Sequence, residues 1–224
     1  MSLLSLVSEP RRRVRDNARG ERLSALARRL RAQIYTTGPL LVLVKPLDEI
    51  AVPVRHGQVR IEPLQRRHLP ALAELNRERG DVEGDARFEA DVAAGYGGMV
   101  GFVGDALACC YWWCDGTMPR HRDMRLLGLG IELGEGDVYG FDLYVDKRHR
   151  AGGTANDFLY QVESGLRERG FARLYGYVVA DNRMARWTYD ARGYRAAWRV
   201  ERTRILRRWR NRIATIEGDG QVPA

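Results

Sequence analysis

Val138-Tyr139-Gly140-Phe141-Asp142-Leu143-Tyr144-Val145, followed four residues later by Arg150-Ala151-Gly152-Gly153-Thr154-Ala155, is the stretch whose reading decides the fold. The first part is a β-branched and aromatic run of strand length. The second opens a helix in which Ala155, Phe158, Leu159, Val162 and Leu166 fall on one apolar stripe, with Gly170 as the stop. A strand, a glycine-bearing loop and a helix start gather unpaired backbone N–H groups around one point. That point also feels the positive end of the helix dipole, so it suits a phosphate or pyrophosphate. Taken alone, the same stretch also reads as a tight strand-to-helix turn with glycines for steric reasons.

A second segment follows about 30 residues on. After another strand, Phe171 to Ala180, come Asn182, Ala185, Tyr189, Gly193 and Tyr194 in fixed register. The two segments together resemble the GNAT superfamily of acyl-CoA-dependent N-acetyltransferases. Arg150-x-x-Gly153-x-Ala155 fits that family's R/Q-x-x-G-x-G/A loop, and Val145 stands where its lead-in strand ends. Asn182 with Ala at +3, Tyr at +7, Gly at +11 and an aromatic at +12 fits its second signature. The match covers residues 138–195 and extends more loosely back to residue 58. The resemblance implies an α/β protein (a mixed α+β sheet) with the GNAT-type acyltransferase fold, preceded by a helix-strand extension.

The resemblance also implies a chemistry: transfer of an acetyl group from acetyl-CoA to a primary amine of a small-molecule or sugar-type acceptor, by direct attack and without a metal. Coenzyme A would lay its pyrophosphate on the loop Arg150, Ala151, Gly152, Gly153, Thr154 and Ala155. Glycines there let the backbone approach closely, and Thr154 adds a hydroxyl. The pantetheine arm would bond the backbone of Leu143 and Val145 as a pseudo-strand, in a gap between two parallel strands. A Val145 N–H would stabilise the oxyanion. Asn182 would bond the arm or hold the gap open, and its position serves equally as a helix N-cap. Tyr189 is the candidate general acid, since a phenol of ordinary pKa about 10 is protonated at neutral pH. The base departs from the family pattern, because Phe141 and Tyr139 stand where a Glu is common. Asp142 faces the other side of a regular strand, and a bulge would re-aim it. Glu132, Glu135, Asp137 and His121 are its rivals.

Composition sets the frame. Over 224 residues, 45% are apolar and 29% charged, ordinary values for a globular protein with a substantial core. The longest apolar runs, 40–44 and 106–113, have strand length and fall short of a membrane span. No signal peptide is read in residues 1–7, so a cytoplasmic, bacterial-type enzyme is the expectation. The net charge is +8, and of the 37 basic residues Lys45 and Lys147 alone are lysines. Such a skew toward Arg, beside abundant Ala and Gly, more often reflects a GC-rich genome than a binding surface. The clusters at residues 11–19 and 199–212 read first as solvated surface, and second as a docking surface for RNA or another acidic partner. That second reading carries an alternative function, a protein or aminoacyl-tRNA acetyltransferase. A third is a non-catalytic acyl-CoA-binding protein. Cys109, Cys110 and Cys114 lie on one strand, with Cys110 and Cys114 facing one side with Trp112 and Cys109 the other with Tyr111 and Trp113. They lack metal-ligand spacing and read as buried thiols.

Three regions follow in order. Residues 1–57 form the extension, with a basic start, an amphipathic helix over 19–34 (Leu23, Leu26, Leu30, Ile34) and a strand over 40–47. Its apolar stripe needs a partner, either the domain or a second copy in a homodimer. Residues 58–206 form the catalytic domain. Within it come helices over 67–79 and 88–94, a hairpin turning at Gly104-Asp105, a polar loop leading into a segment 126–133, and a last strand over 196–206. Residues 207–224 form a basic tail.

Overall fold

The computed structural model describes residues 34–53, 58–81, 84–205 and 208–216. The expected helix over 19–34, apart from its last residue, and the end of the basic tail lie outside them. Eight strands form one mixed sheet: β1 (Ile34–Pro46), β2 (Arg60–Pro63), β3 (Gly97–Val103), β4 (Ala106–Asp115), β5 (Asp137–Val145), β6 (Arg173–Val179), β7 (Arg195–Ile205) and β8 (Arg208–Thr215). Their order across the sheet is β2-β3-β4-β5-β6-β1-β7-β8. Five α-helices are described: α1 (Leu69–Arg79), α2 (Gly84–Ala93), α3 (Arg122–Leu126), α4 (Thr154–Glu168) and α5 (Arg183–Ala191). None is long and apolar enough to cross a membrane.

The described residues divide into two compact units, those within 38–200 and 213–216, and those within 34–37 and 201–212. The second contains the facing parts of β7 and β8, where the Arg202 guanidinium sits 4.4 Å over the Trp209 ring. The first holds the core and everything below.

Its core has two layers, one on each face of the sheet, and period-two alternation builds both. On one side, Cys109, Tyr111 and Trp113 of β4 pack with Val138 and Val145 of β5 beneath Phe158, Leu159, Val162 and Leu166 of α4. On the other, Cys110, Trp112 and Cys114 pack with Tyr139 and Phe141 beneath Leu72 and Leu75 of α1 and Phe88 of α2. The cysteines take the faces that their alternation predicts, and all three thiols are free and buried. Burial raises the pKa of Cys109 to about 12 and that of Cys114 to about 11.

Two segments differ from the sequence expectation. The strand assigned to the extension is an interior strand of the sheet: β1 pairs antiparallel with β6, from Leu40↔Val179 to Pro46↔Arg173. A boundary at residue 57 therefore leaves a central strand outside the domain it completes. The segment 126–133 starts at the end of a short helix, Arg122–Leu126, and the chain then runs irregularly to β5. Buried Leu129 and Ile131 supply apolar contacts without pairing to the sheet. Residues 208–215, expected as tail, form β8.

Candidate active site

Strands β5 and β6 are parallel neighbours for three residue pairs, Asp137↔Arg173, Val138↔Leu174 and Tyr139↔Tyr175. Beyond Tyr139 they no longer pair, although β5 continues to Val145 and β6 to Val179. The result is a V-shaped gap that leaves one edge of Gly140–Val145 without a strand partner. On the other edge, Cys109 of β4 stands opposite Val145, and the Asp146 N–H donates to Ala108 at 2.8 Å. Alternation in an antiparallel pair then turns the backbone groups of Val145 away from β4 and toward the gap. Its carbonyl accepts from Arg150 Nε at 2.9 Å. The Arg150 guanidinium lies 5.5 Å over the Tyr144 ring, so it ties the strand end to the loop.

That loop is built on two left-handed glycines, Gly152 at φ 79° and Gly153 at φ 94°, before α4 begins at Thr154. Side-chain-bearing residues are strained in this region, whereas glycine is free. A cavity of about 440 Å³ opens beside them, bordered by Asn156, Ala51–Pro53, Ala191 and Arg192. Asn182 is exposed and caps α5, its side chain accepting from the Ala185 N–H at 3.1 Å. Tyr189, on α5, is half-buried and packs edge-on to Tyr194 at 4.8 Å. Burial, with Glu163 and Tyr177 nearby, pushes its pKa up to about 12. It holds its proton at any physiological pH.

A larger cavity, about 900 Å³, lies on the α1–α2 side of the sheet. Asp142 reaches it through a bulge. Cys110 pairs with Tyr144 and Trp112 with Phe141, so Asp142 and Leu143 together oppose Tyr111. Asp142 takes φ 51°, the sole non-glycine positive φ among the described residues. The side chain turns to Arg79 Nη1 at 3.0 Å and Arg87 Nη2 at 3.1 Å, and Asp81 bridges the same two arginines at 2.6 and 2.5 Å. These four half-buried charges close a ring that fastens the ends of α1 and α2 onto the bulge. Both oxygens of Asp142 are engaged by guanidinium groups in that ring.

His121 enters the same cavity. Its ring stacks on Phe141 at 3.8 Å, and its Nδ1 accepts from the Asp123 N–H at 3.2 Å. Burial, assisted by Arg122, lowers its pKa to about 4, so it is neutral. The other candidates for the base lie elsewhere. Glu132 and Glu135 are exposed, and Asp137, at the far end of β5, pairs with Arg173 at 2.7 Å. Sequence reasoning passed over Asp123 and Tyr177. Both line the cavity and are hydrogen-bonded to each other, and burial raises the Asp123 pKa. Alternation along β6 could have pointed Tyr177 to this face; nothing local marks Asp123.

No protein-family model and no curated protein matches the chain. Solved structures do. A glucosamine N-acetyltransferase region, GCN5-related, of a fungal multi-domain β-N-acetylglucosaminidase aligns over 80% of this chain and 22% of its own, at 13% identity and TM-score 0.59. A GCN5-related N-acetyltransferase from Sphaerobacter thermophilus aligns over 83% of this chain and 57% of its own, at 15% identity and TM-score 0.57. The chain thus has the fold of the GCN5-related N-acetyltransferases, the GNAT fold.

Proposed function

We propose that the protein is an N-acetyltransferase that moves an acetyl group from acetyl-CoA to a primary amine of a small acceptor. The observation that carries this reading is the gap between β5 and β6, with a double-glycine turn at its mouth and a separate polar cavity behind the bulge. Two compartments meeting at one strand are what a transfer between two substrates requires.

The residues fit coenzyme A. Its thioester supplies an activated acyl carbon. Gly152, Gly153 and Thr154, with flanking Ala151 and Ala155, form the candidate pyrophosphate cradle at the start of α4. The free edge at Leu143 and Val145 is the candidate partner for an amide-rich arm, and the Val145 N–H is the candidate oxyanion donor. Arg150 acts here by holding the Val145 carbonyl. Asn182 acts by capping α5, the helix that bears Tyr189. Tyr189 is the candidate proton donor to the leaving thiolate, and its high pKa keeps that proton in place. The Asp142 ring shapes the acceptor cavity.

Calorimetry with acetyl-CoA, together with coenzyme A release over a panel of amines, tests the reading. Gly153→Glu puts a carboxylate where pyrophosphate would lie and a side chain on a left-handed residue. Affinity should fall about a thousandfold while the fold persists. Unchanged affinity in the folded variant refutes the cradle.

A further inference from the structure

The larger cavity carries a charge pattern that narrows the acceptor. Three arginines and three aspartates line it: Arg79, Arg87 and Arg122 against Asp81, Asp142 and Asp123. Arg79, Arg87, Asp81 and Asp142 neutralise one another in the ring already described. What remains is a single cation and a single carboxylate, Arg122 and Asp123, side by side at the start of α3. Their closest approach, Arg122 Nε to Asp123 Oδ1, is 3.9 Å, beyond hydrogen-bond reach. Asp91, buried on α2, is electrostatically coupled to Arg122, and its Oδ2 has no hydrogen-bond partner among the described residues. Arg122 is partly exposed to the cavity. The rest of the wall near them is neutral or apolar: His121, Tyr177, Phe141, Leu126 and Ala90.

We infer that the acceptor is an amino acid: a primary amine carrying a carboxylate and an apolar side chain, with the carboxylate on Arg122 and the amine on Asp123. This rests on the transferase reading above. An arginine offers a carboxylate two parallel N–H donors, a fit that an uncharged amide cannot reproduce. An aspartate receives the ammonium and accepts its proton when the amine attacks: the N–H bond breaks, the proton moves to the Asp123 carboxylate, and the nitrogen lone pair is freed. Tyr177, bonded to Asp123, orients that carboxylate. The groups facing Asp123 are Arg122 and His121 from its own segment, Arg87 and Asp91 from α2, Asp142 and Tyr139 from β5, and Tyr177 from β6. Leu126, Phe141 and Ala90 give the side chain an apolar wall.

Leucine, leucinamide and 3-methylbutylamine share a side chain and differ at the carboxylate. Their binding is measured by calorimetry without acyl donor, and their kcat/KM with acetyl-CoA. Leucine should lead both analogues by about tenfold or more in both measurements. Arg122→Gln should collapse that ratio to within about twofold, with the acetyl-CoA affinity unchanged. Asp123→Asn should lower kcat and remove the acidic limb of its pH profile, which loss of packing alone would leave in place. Equal treatment of the three ligands by the wild type, no binding of any of them, or a preference that survives Arg122→Gln overturns the inference. Loss of acetyl-CoA binding or of turnover with every amine strikes the transferase reading instead, because leucine binding is read without the donor.

Discussion

Each face of the central sheet holds a cluster of opposite charges, and the two differ in their access to water. On the cavity face, Arg79, Asp81, Arg87 and Asp142 retain between 15% and 24% of their side-chain exposure, and every carboxylate is matched by two guanidinium contacts. On the α4 face, Lys45, Glu163 and Arg192 are almost wholly enclosed, at 1%, 0% and 3%. There Glu163 accepts from Arg192 and lies 3.8 Å from Lys45. Lys45 donates to the Arg192 carbonyl, and Arg192 donates to the Ala51 carbonyl at 2.6 Å. Burial lowers the Lys45 pKa and raises that of Glu163, each against the pull of its partner. The enclosed cluster joins β1, α4 and the end of α5 on the side that holds Tyr189. The open one joins α1, α2 and β5 around the larger cavity. Enclosed charges fix a segment at high risk to stability; half-exposed ones can fix a wall at lower cost, because water shares the load.

The difference is broken most directly at Glu163. Glu163→Ala leaves Lys45 and Arg192 buried without a counter-charge, and denaturant unfolding should show a loss of about 3–5 kcal/mol. A loss below about 1 kcal/mol would mean that the cluster is hydrated and no different in kind from the ring.

The cavity face should be the pH-sensitive one, and the signs follow from its buried groups. His121, lowered from 6.5 to about 4, stays neutral in the fold while the unfolded chain takes up a proton. Stability is therefore lost as pH falls from about 6.5 toward 4. Asp91, raised from 3.8 to about 6 by burial, keeps its proton in the fold while the unfolded chain releases it. Its contribution is present at low pH and is lost as pH rises through about 6. The two slopes oppose each other over one window. Asp91→Asn removes the second, so between pH 6.5 and 4 the variant should lose on the order of 3 kcal/mol more stability than the wild type. Unfolding curves at four or five pH values decide it, and equal slopes in both proteins would contradict the assignment.

Tyr189→Phe sharpens the comparison on the enclosed side. If the cluster presents Tyr189 for chemistry, turnover should drop roughly 100-fold with acetyl-CoA affinity retained. Full-speed turnover would leave Tyr189 as packing. Asp142→Asn gives the smallest effect, about 1–2 kcal/mol of stability from weakened arginine contacts. Its turnover should fall by the same factor at every pH, as a positioning role requires. Recovery toward wild type near pH 9–10 would instead restore Asp142 as the base, since a free amine no longer needs one there.

Much of this was legible from residue order. Val145, the loop through Gly152 and Gly153, the α4 stripe and the Asn182-to-Tyr194 register are local patterns, and each reports burial or backbone need at its own position. The alternation of Cys109 through Cys114 placed six side chains on their correct faces, because a strand has only two. The bulge at Asp142 could be anticipated as a device, but not its occupants. Arg79 and Arg87 lie 63 and 55 positions away, and no periodicity links them to β5. The same limit applies to β1. Its apolar run announced a strand, while its place between β6 and β7 depends on hydrogen bonds to residues over 120 positions distant. Lys45 reads in sequence as one of two lysines near a loop; enclosed against Glu163, it becomes a counter-ion. Residues 126–133 carry an apolar run, and buried Leu129 and Ile131 pack from an irregular path without joining the sheet. Local patterning thus determined which elements exist and which way their side chains face. Pairing partners and the ownership of buried charge were decided by the tertiary structure, since both are settled between residues that meet only when the chain has folded.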